Sequence, residues 1–206
     1  MKQNDKYIVA ITGGISTGKS TAINYILMKG YEVVDLDEIG HNVLDLSSVR
    51  SVLVTKFGSD ILDNTGKIDR KNLGKAVFKN KESLQYLNEV THPIIYEKAK
   101  EAIEKSEDNI VFLEIPLLFE TKSGFPEFYE MIDEVWVISC KESIQTSRLM
   151  IREKITLEDA QKKIKSQMSL RVKERLGNVI IYNNSDIYNL YEEIGIELKN
   201  LEKRVH

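Results

Sequence analysis

The chain has 206 residues, 42% of them hydrophobic and 30% charged, with 11 Gly, 3 Pro and 1 Cys, a composition that excludes collagen, disulfide scaffolds and long disordered tracts. Lys and Arg number 29 against 32 Asp and Glu, for a net charge of −3, so there is no overall positive field to hold a nucleic-acid backbone. No apolar run approaches the roughly 18 residues of a membrane span, and MKQNDK leads straight into a predicted strand; a cytoplasmic protein with neither nucleic-acid nor membrane partners is expected.

At this length one core, or one core carrying an inserted segment, buries roughly 70% of the unfolded surface. YIVAIT at 7 to 12 is a short β-rich run followed by glycines and a helical pattern through Met28 and Lys29, which Gly30 closes. EVVDLD at 32 to 37 predicts a second strand, and the spacing of Val43, Leu44, Val49, Val52 and Leu53 predicts a helix over about 39 to 57. From about 58 to 107 the pattern changes to turn signals at Gly58 and Asn64-Thr65-Gly66, then helical periodicity, with Pro93 placed to open a new helix after His92. NIVFLEI at 109 to 115 and DEVWVIS at 133 to 139 are continuous apolar runs, as expected of parallel strands covered on both faces. Residues 141 to 176 predict two charged amphipathic helices broken near Thr156, where the spacing to Asp159 resembles a capping box. VIIY at 179 to 182 predicts a last strand, before a helix over about 186 to 203. No repeat or Pro-rich linker divides the chain, so the extra segments read as insertions in one α/β domain.

Cys140 ends an apolar stretch and reads as a small buried side chain. His41, His92 and His206 show no metal-ligand spacing.

The chemistry concentrates at Gly13, Gly14, Ile15, Ser16, Thr17, Gly18, Lys19 and Ser20, which satisfy GxxxxGK[ST] between a predicted strand and a predicted helix. Glycines let backbone N–H groups turn inward around a polyphosphate, and the following helix adds its positive end. Lys19 is placed to meet the β- and γ-phosphates, and the Ser20 hydroxyl to take a Mg²⁺ position. A GTPase would carry a guanine-reading NKxD, but Asn183-Asn184-Ser185-Asp186 differs from it at the second and third residues. Asp35 and Asp37 sit at the end of the second predicted strand, on one side if that strand persists. Either can orient a substrate hydroxyl, and either can instead cap the next helix. Arg148 and Arg152, four apart on one helix face, with Arg171, Lys173 and Arg175 further along, suit a lid that closes over phosphates, although a solvated charged face has the same pattern. By these residues alone another small-metabolite P-loop kinase, or a nucleotide-binding scaffold without turnover, also remains open.

Several stretches together resemble the dephospho-CoA kinase family: TGGISTGKST at 12 to 21, VVDLD at 33 to 37, FGSDILDNTGKIDRKNLGKAVF at 57 to 78, LNEVTHPII at 87 to 95, EIPLLFE at 114 to 120, the spacing of Gln145, Arg148 and Arg152, and VIIYNN at 179 to 184. The resemblance covers nearly the whole chain, and GKIDRKNL, THPII and PLLFE in this order are more specific than the loop. It implies a P-loop fold with a parallel sheet of about five strands flanked by helices, ATP as phosphoryl donor with Mg²⁺, and dephospho-CoA as acceptor. By residue-wise match it implies Asp37 as base, Lys19 and Ser20 at phosphate and Mg²⁺, residues Gly14 to Thr21 around ATP, Arg148 and Arg152 in the lid, and Asn183 near the adenine. It further implies a core of 1–57, 108–140 and 177–206, a helical CoA-side insertion at 58–107 with Asp69, Arg70 and His92 in its recurrent motifs, and a lid at 141–176. His92 before Pro93 also reads as a helix cap and stays outside the catalytic set. A monomer or weak homo-oligomer is expected. Leu36, Glu114 and Gly177-Asn178 depart from the family's more frequent Ala, Asp and Ala-Asp, and Ser16-Thr17 from its more frequent Gly-Ser or Ala-Ser.

Overall fold

The computed structural model describes residues 6–121 and 126–205, with His206 outside them. In chain order the elements are β1 (Tyr7–Gly13), α1 (Lys19–Met28), β2 (Glu32–Asp35), α2 (Leu36–Leu44), α3 (Ser47–Phe57), a three-residue 3₁₀ turn (Ser59–Ile61), α4 (Arg70–Val77) and α5 (Lys81–Lys105). They continue with β3 (Ile110–Glu114), α6 (Leu118–Thr121), α7 (Pro126–Tyr129), β4 (Glu134–Ser139), α8 (Glu142–Glu153), α9 (Leu157–Lys165), α10 (Leu170–Leu176), β5 (Val179–Tyr182) and α11 (Ile187–Val205). The chain divides into two compact units, one made of Met1–Val34 and Ser106–His206, the other of Asp35–Lys105.

The first unit is built on a five-stranded sheet of order β2-β3-β1-β4-β5. β1 pairs in parallel with β3 and with β4, and β4 with β5. Alternate residues send Val9, Ile11, Phe112, Trp136, Ile138 and Ile181 into one cluster with Ala22, Ile23 and Ile26 of α1 and Leu190, Ile194, Leu198 and Leu201 of α11. The intervening residues Ile8, Ala10, Val111, Leu113 and Val137 are buried as well, and this two-sided burial is why the strands read as unbroken apolar runs. Connections leave adjacent strands β1 and β4 in opposite directions, towards β2 and β5, so the carboxyl ends of these two strands flank a topological switch point.

Asn178, one of the departures from the family pattern, has a local task. Its backbone N–H donates to the Val135 carbonyl and its Oδ1 accepts from the Val135 N–H, both at 2.8 Å, closing the entry to β5. A Cβ on Gly177 would lie 2.5 Å from Val137 Cγ2, so the small residue before it fits the β-branched residue on β4.

The second unit is helical and broader than the expected insertion at 58–107, because α2 and α3 belong to it. Val43, Val49 and Leu53 share one buried cluster with Ile61, Ile68, Leu73 and Val77, and Tyr86, Leu87, Ile94 and Ile95 of α5 pack against it. The predicted helix over 39 to 57 is two helices, α2 and α3, with Leu44 and Leu46 on either side of the bend both packed on that cluster. Pro93 does not open a helix but lies inside the 25-residue α5. An interior proline costs about 3 kcal/mol, and apolar burial on both sides opposes that cost: Leu87 and Ile94 pack on the helical cluster, and Tyr96, Ala99 and Ile103 farther along α5 are buried. Among the described residues of this unit extended pairing is limited to the bridge Leu62–Ile68, turned by Asp63 and by Gly66 at φ +78°. In α5 the His92 ring lies edge-on to Tyr96 at 5.6 Å, and burial lowers its pKa below the ordinary 6.5.

Candidate active site

β1 runs to Gly13 and α1 begins at Lys19, so the glycine-rich segment forms the turn between them. Backbone geometry explains its composition. Gly18 has φ +93°, a left-handed conformation that costs a side chain energy, and a Cβ there would lie 2.1 Å from Asn183 Nδ2. A Cβ on Gly13 would meet the Ile138 carbonyl oxygen at 2.6 Å and Thr17 Oγ1 at 2.9 Å. Thr17 is wholly buried and donates through its hydroxyl to the Gly14 carbonyl at 2.9 Å. Ser16 also sits at positive φ, +58°, and its Oγ is buried with no hydrogen-bond partner.

The start of α1 has no side-chain cap and no acidic residue in its first turn, which leaves its leading N–H groups as an anion site. A cavity of about 500 Å³ opens over the loop, lined by residues 13–21 together with Pro116, Arg148, Arg152 and Gln167. Gly14, Ile15, Ser16, Thr17, Gly18, Lys19, Ser20 and Thr21 therefore share one cavity with both arginines of α8. The Lys19 ammonium pairs with Glu114 at the end of β3. The cradle of glycines, the unpartnered Ser16 hydroxyl and the cationic donors Lys19, Arg148 and Arg152 fit a polyphosphate. For Mg²⁺ the loop supplies the exposed Ser20 hydroxyl, a hard oxygen of the kind that holds Mg²⁺ together with substrate phosphates. Among the described residues no group of three His, Cys, Asp or Glu could hold a metal ion by itself.

Asn183 stands behind the loop, 6% exposed, and does not line the cavity. Its Nδ2 donates to the Thr17 carbonyl at 2.9 Å, while its backbone oxygen and Oδ1 accept from Arg148 Nη1 and Nη2 at 3.1 and 3.2 Å. Arg152 pairs with Glu153, which also meets Lys163 of α9. The expected two helices of 141 to 176 are three, since α10 is separate from α9. Thr156 does cap α9, with Oγ1 accepting from the Asp159 N–H at 3.2 Å.

β2 stops two residues short of the predicted strand end. Asp35 Oδ1 accepts from the Asp37 and Glu38 N–H groups at 2.8 and 3.1 Å, so Asp35 is the cap of α2 and Asp37 lies exposed in its first turn. The pairing of Asp35 and Asp37 on one side of a strand therefore does not occur. Leu36 between them is buried.

Two loop partners are not evident from sequence motifs. Gln167 Oε1 accepts from the Ile15 N–H at 2.9 Å, and Gln145 Nε2 donates to the Ile15 carbonyl at 2.8 Å. Gln145 enters the reading only through the family spacing, and Gln167 has no signal at all because its partner is 152 residues away.

Cys140, just past β4, is free and buried, and burial pushes its thiol pKa up against the opposing pull of Arg148. A thiol kept protonated and covered reacts slowly. The native protein is therefore expected to resist an aromatic disulfide reagent at neutral pH and to release one thiol on denaturation. Rapid native labelling would contradict this burial.

A family model described as dephospho-CoA kinase matches residues 7–189. The dephospho-CoA kinase of Fusobacterium nucleatum is 39% identical over 91% of this chain and 94% of its own length. That of Carboxydothermus hydrogenoformans is 36% identical over 91% of this chain and 90% of its own. Among solved structures, the dephospho-CoA kinase from Campylobacter jejuni superposes with a TM-score of 0.73 at 29% identity, covering 98% of this chain and all of that one. A shikimate kinase from Bacteroides thetaiotaomicron, at 13% identity and a TM-score of 0.54 over 95% of this chain and 98% of that one, shares the fold.

Proposed function

This chain belongs to the dephospho-CoA kinase family, and from that premise we propose that it transfers the γ-phosphoryl group of ATP to the ribose 3′-hydroxyl of dephospho-CoA, giving coenzyme A and ADP. The observation that carries the reading is the phosphate loop whose Lys19 shares one cavity with Arg148 and Arg152 of a separate helix. That is the arrangement of a loop that grips a polyphosphate and a second element that meets the transferred group.

In this reading the loop N–H groups and Lys19 hold the β- and γ-phosphates, and Lys19 passes from Glu114 to the phosphate oxygens. Ser20 supplies the protein oxygen for Mg²⁺, which when bound neutralises charge on the β- and γ-phosphate oxygens. Asp37 accepts the proton of the 3′-hydroxyl as its oxygen bonds to the γ-phosphorus and the bond to the β–γ bridging oxygen breaks. The resemblance of VVDLD at 33 to 37 to the family's motif supports Asp37 in that role, and Asp35 is engaged as the cap of α2. Arg148 stabilises charge spread over the transferring group, and Arg152 and Asn183 serve the nucleotide, Asn183 by bracing the loop at Thr17. The segment 141–176 acts as the lid and the helical unit as the CoA side. In a loose transition state little covalent work falls to the protein, so positioning and electrostatics supply most of the acceleration.

ADP release with ATP and Mg²⁺, measured with dephospho-CoA, AMP, adenosine or no acceptor, tests the reading. Turnover is expected with dephospho-CoA alone. Turnover with a different acceptor would keep the kinase and replace the substrate.

A further inference from the structure

Lys173 is wholly buried on α10, whereas its apolar neighbours Val172 and Leu176 are 40% and 52% exposed. This inverts the ordinary preference for burying apolar side chains and leaving lysine in water. Its three N–H donors find three acceptors: the Gly13 carbonyl at 3.0 Å, the Pro116 carbonyl at 3.4 Å and Glu120 Oε1 at 2.9 Å. Replacing a buried ion pair by apolar side chains is often neutral or stabilising, so stability alone is a poor reason for this one.

The acceptors identify the task. Gly13 and Pro116 both line the phosphate cavity, one at the end of β1 and the other just after β3. Pro116 also accepts from Thr12 Oγ1 at 3.1 Å, so the two strand ends are already fastened to each other. Because a peptide is planar and trans, holding the Gly13 carbonyl fixes the direction of the Gly14 N–H as well. The same carboxylate oxygen of Glu120 that meets Lys173 accepts from the Met168 N–H at 3.1 Å, and the neighbouring Gln167 accepts from Ile15. The segment from Gln167 to Lys173 is thus tied to the phosphate loop at both ends.

We propose that Lys173 is a positioning residue for phosphoryl transfer: its ammonium, neutralised by Glu120, fastens α10 to the Gly13 and Pro116 carbonyls and so sets the shape of the phosphate loop. The inference rests on the reading of this site as an ATP-dependent kinase. It assigns Lys173 no contact with substrate.

The test compares wild type, Lys173→Met and the double variant Lys173→Met/Glu120→Met by thermal unfolding, ATP titration calorimetry and steady-state kinetics. The double variant removes both charges together, so that no carboxylate is left buried without its partner if the single variant fails to fold. In whichever variant folds, kcat is expected to fall by about 10²-fold, as for a small misplacement of reacting groups. ATP binding is expected to weaken, and KM for dephospho-CoA to stay within about twofold. A folded variant with wild-type kcat and ATP affinity, changed only in its melting temperature, would show a merely structural lysine and overturn the proposal. A wild-type protein that turns over no acceptor would instead overturn the kinase reading, so the two failures are separable.

Discussion

An Asp37→Asn protein is expected to bind ATP as wild type does and to lose about 10²–10⁴ in kcat, the range supplied by a positioned general base. Asparagine keeps the size and a hydrogen-bond acceptor but cannot take the hydroxyl proton. Asp37 is exposed in the first turn of α2, where its side chain is not part of the apolar cluster, so the substitution should leave folding intact. Asp35 provides the contrast. Its carboxylate caps α2, so Asp35→Ala should cost about 1 kcal/mol of stability through the lost cap. A kcat for Asp37→Asn near that of wild type would remove Asp37 from the base role.

Lys19→Met is expected to damage binding and chemistry together, with kcat lower by about 10²–10³, as on loss of one preorganised charge-stabilising donor. The ammonium stands at the first residue of α1, where the loop N–H groups already favour anions, and pairs with Glu114 across the mouth of the sheet. Removing it takes away a cation that holds the ground-state phosphates and the charge that spreads in the transition state. It also leaves Glu114 as an unopposed anion facing those phosphates. ATP affinity measured by calorimetry should fall with kcat, which separates this variant from Asp37→Asn. An Lys19→Met protein with unchanged ATP affinity would overturn the loop assignment.

The sheet and the phosphate loop are legible in the sequence because their signals are local. β5 spans the residues its apolar run predicts, and β1 ends on the first glycine of the loop. Errors arise where one interaction overrides local pattern. The second strand reads through to Asp37, yet the Asp35 carboxylate captures two N–H groups and starts α2 early. Pro93 reads as a helix start, but Tyr86, Leu87, Ile94 and Ile95 pack on the same cluster and carry α5 through it.

The site is legible where a motif states it and hidden where chemistry depends on long-range contact. Lys19, Ser20 and the loop glycines follow from the motif alone. Arg148 could be read as a lid arginine or a solvated one, and its contacts with Asn183 tie it to the back of the loop. Lys173 reads as one charge in a run with Arg171 and Arg175, both of them exposed. Its partner Gly13 is 160 residues away, so only folding reveals that this lysine differs from its neighbours. The net charge of −3 supplies no positive field, whereas the cavity itself is lined by the cationic side chains of Lys19, Arg148 and Arg152.

The most direct measurement of the central claim is phosphorus and proton NMR of the product formed from ATP, Mg²⁺ and dephospho-CoA, with ADP quantified in the same sample. The expected result is one new phosphate on the ribose 3′-oxygen for each ADP released. Phosphate at another position, or ADP released without acceptor phosphorylation, would contradict the account.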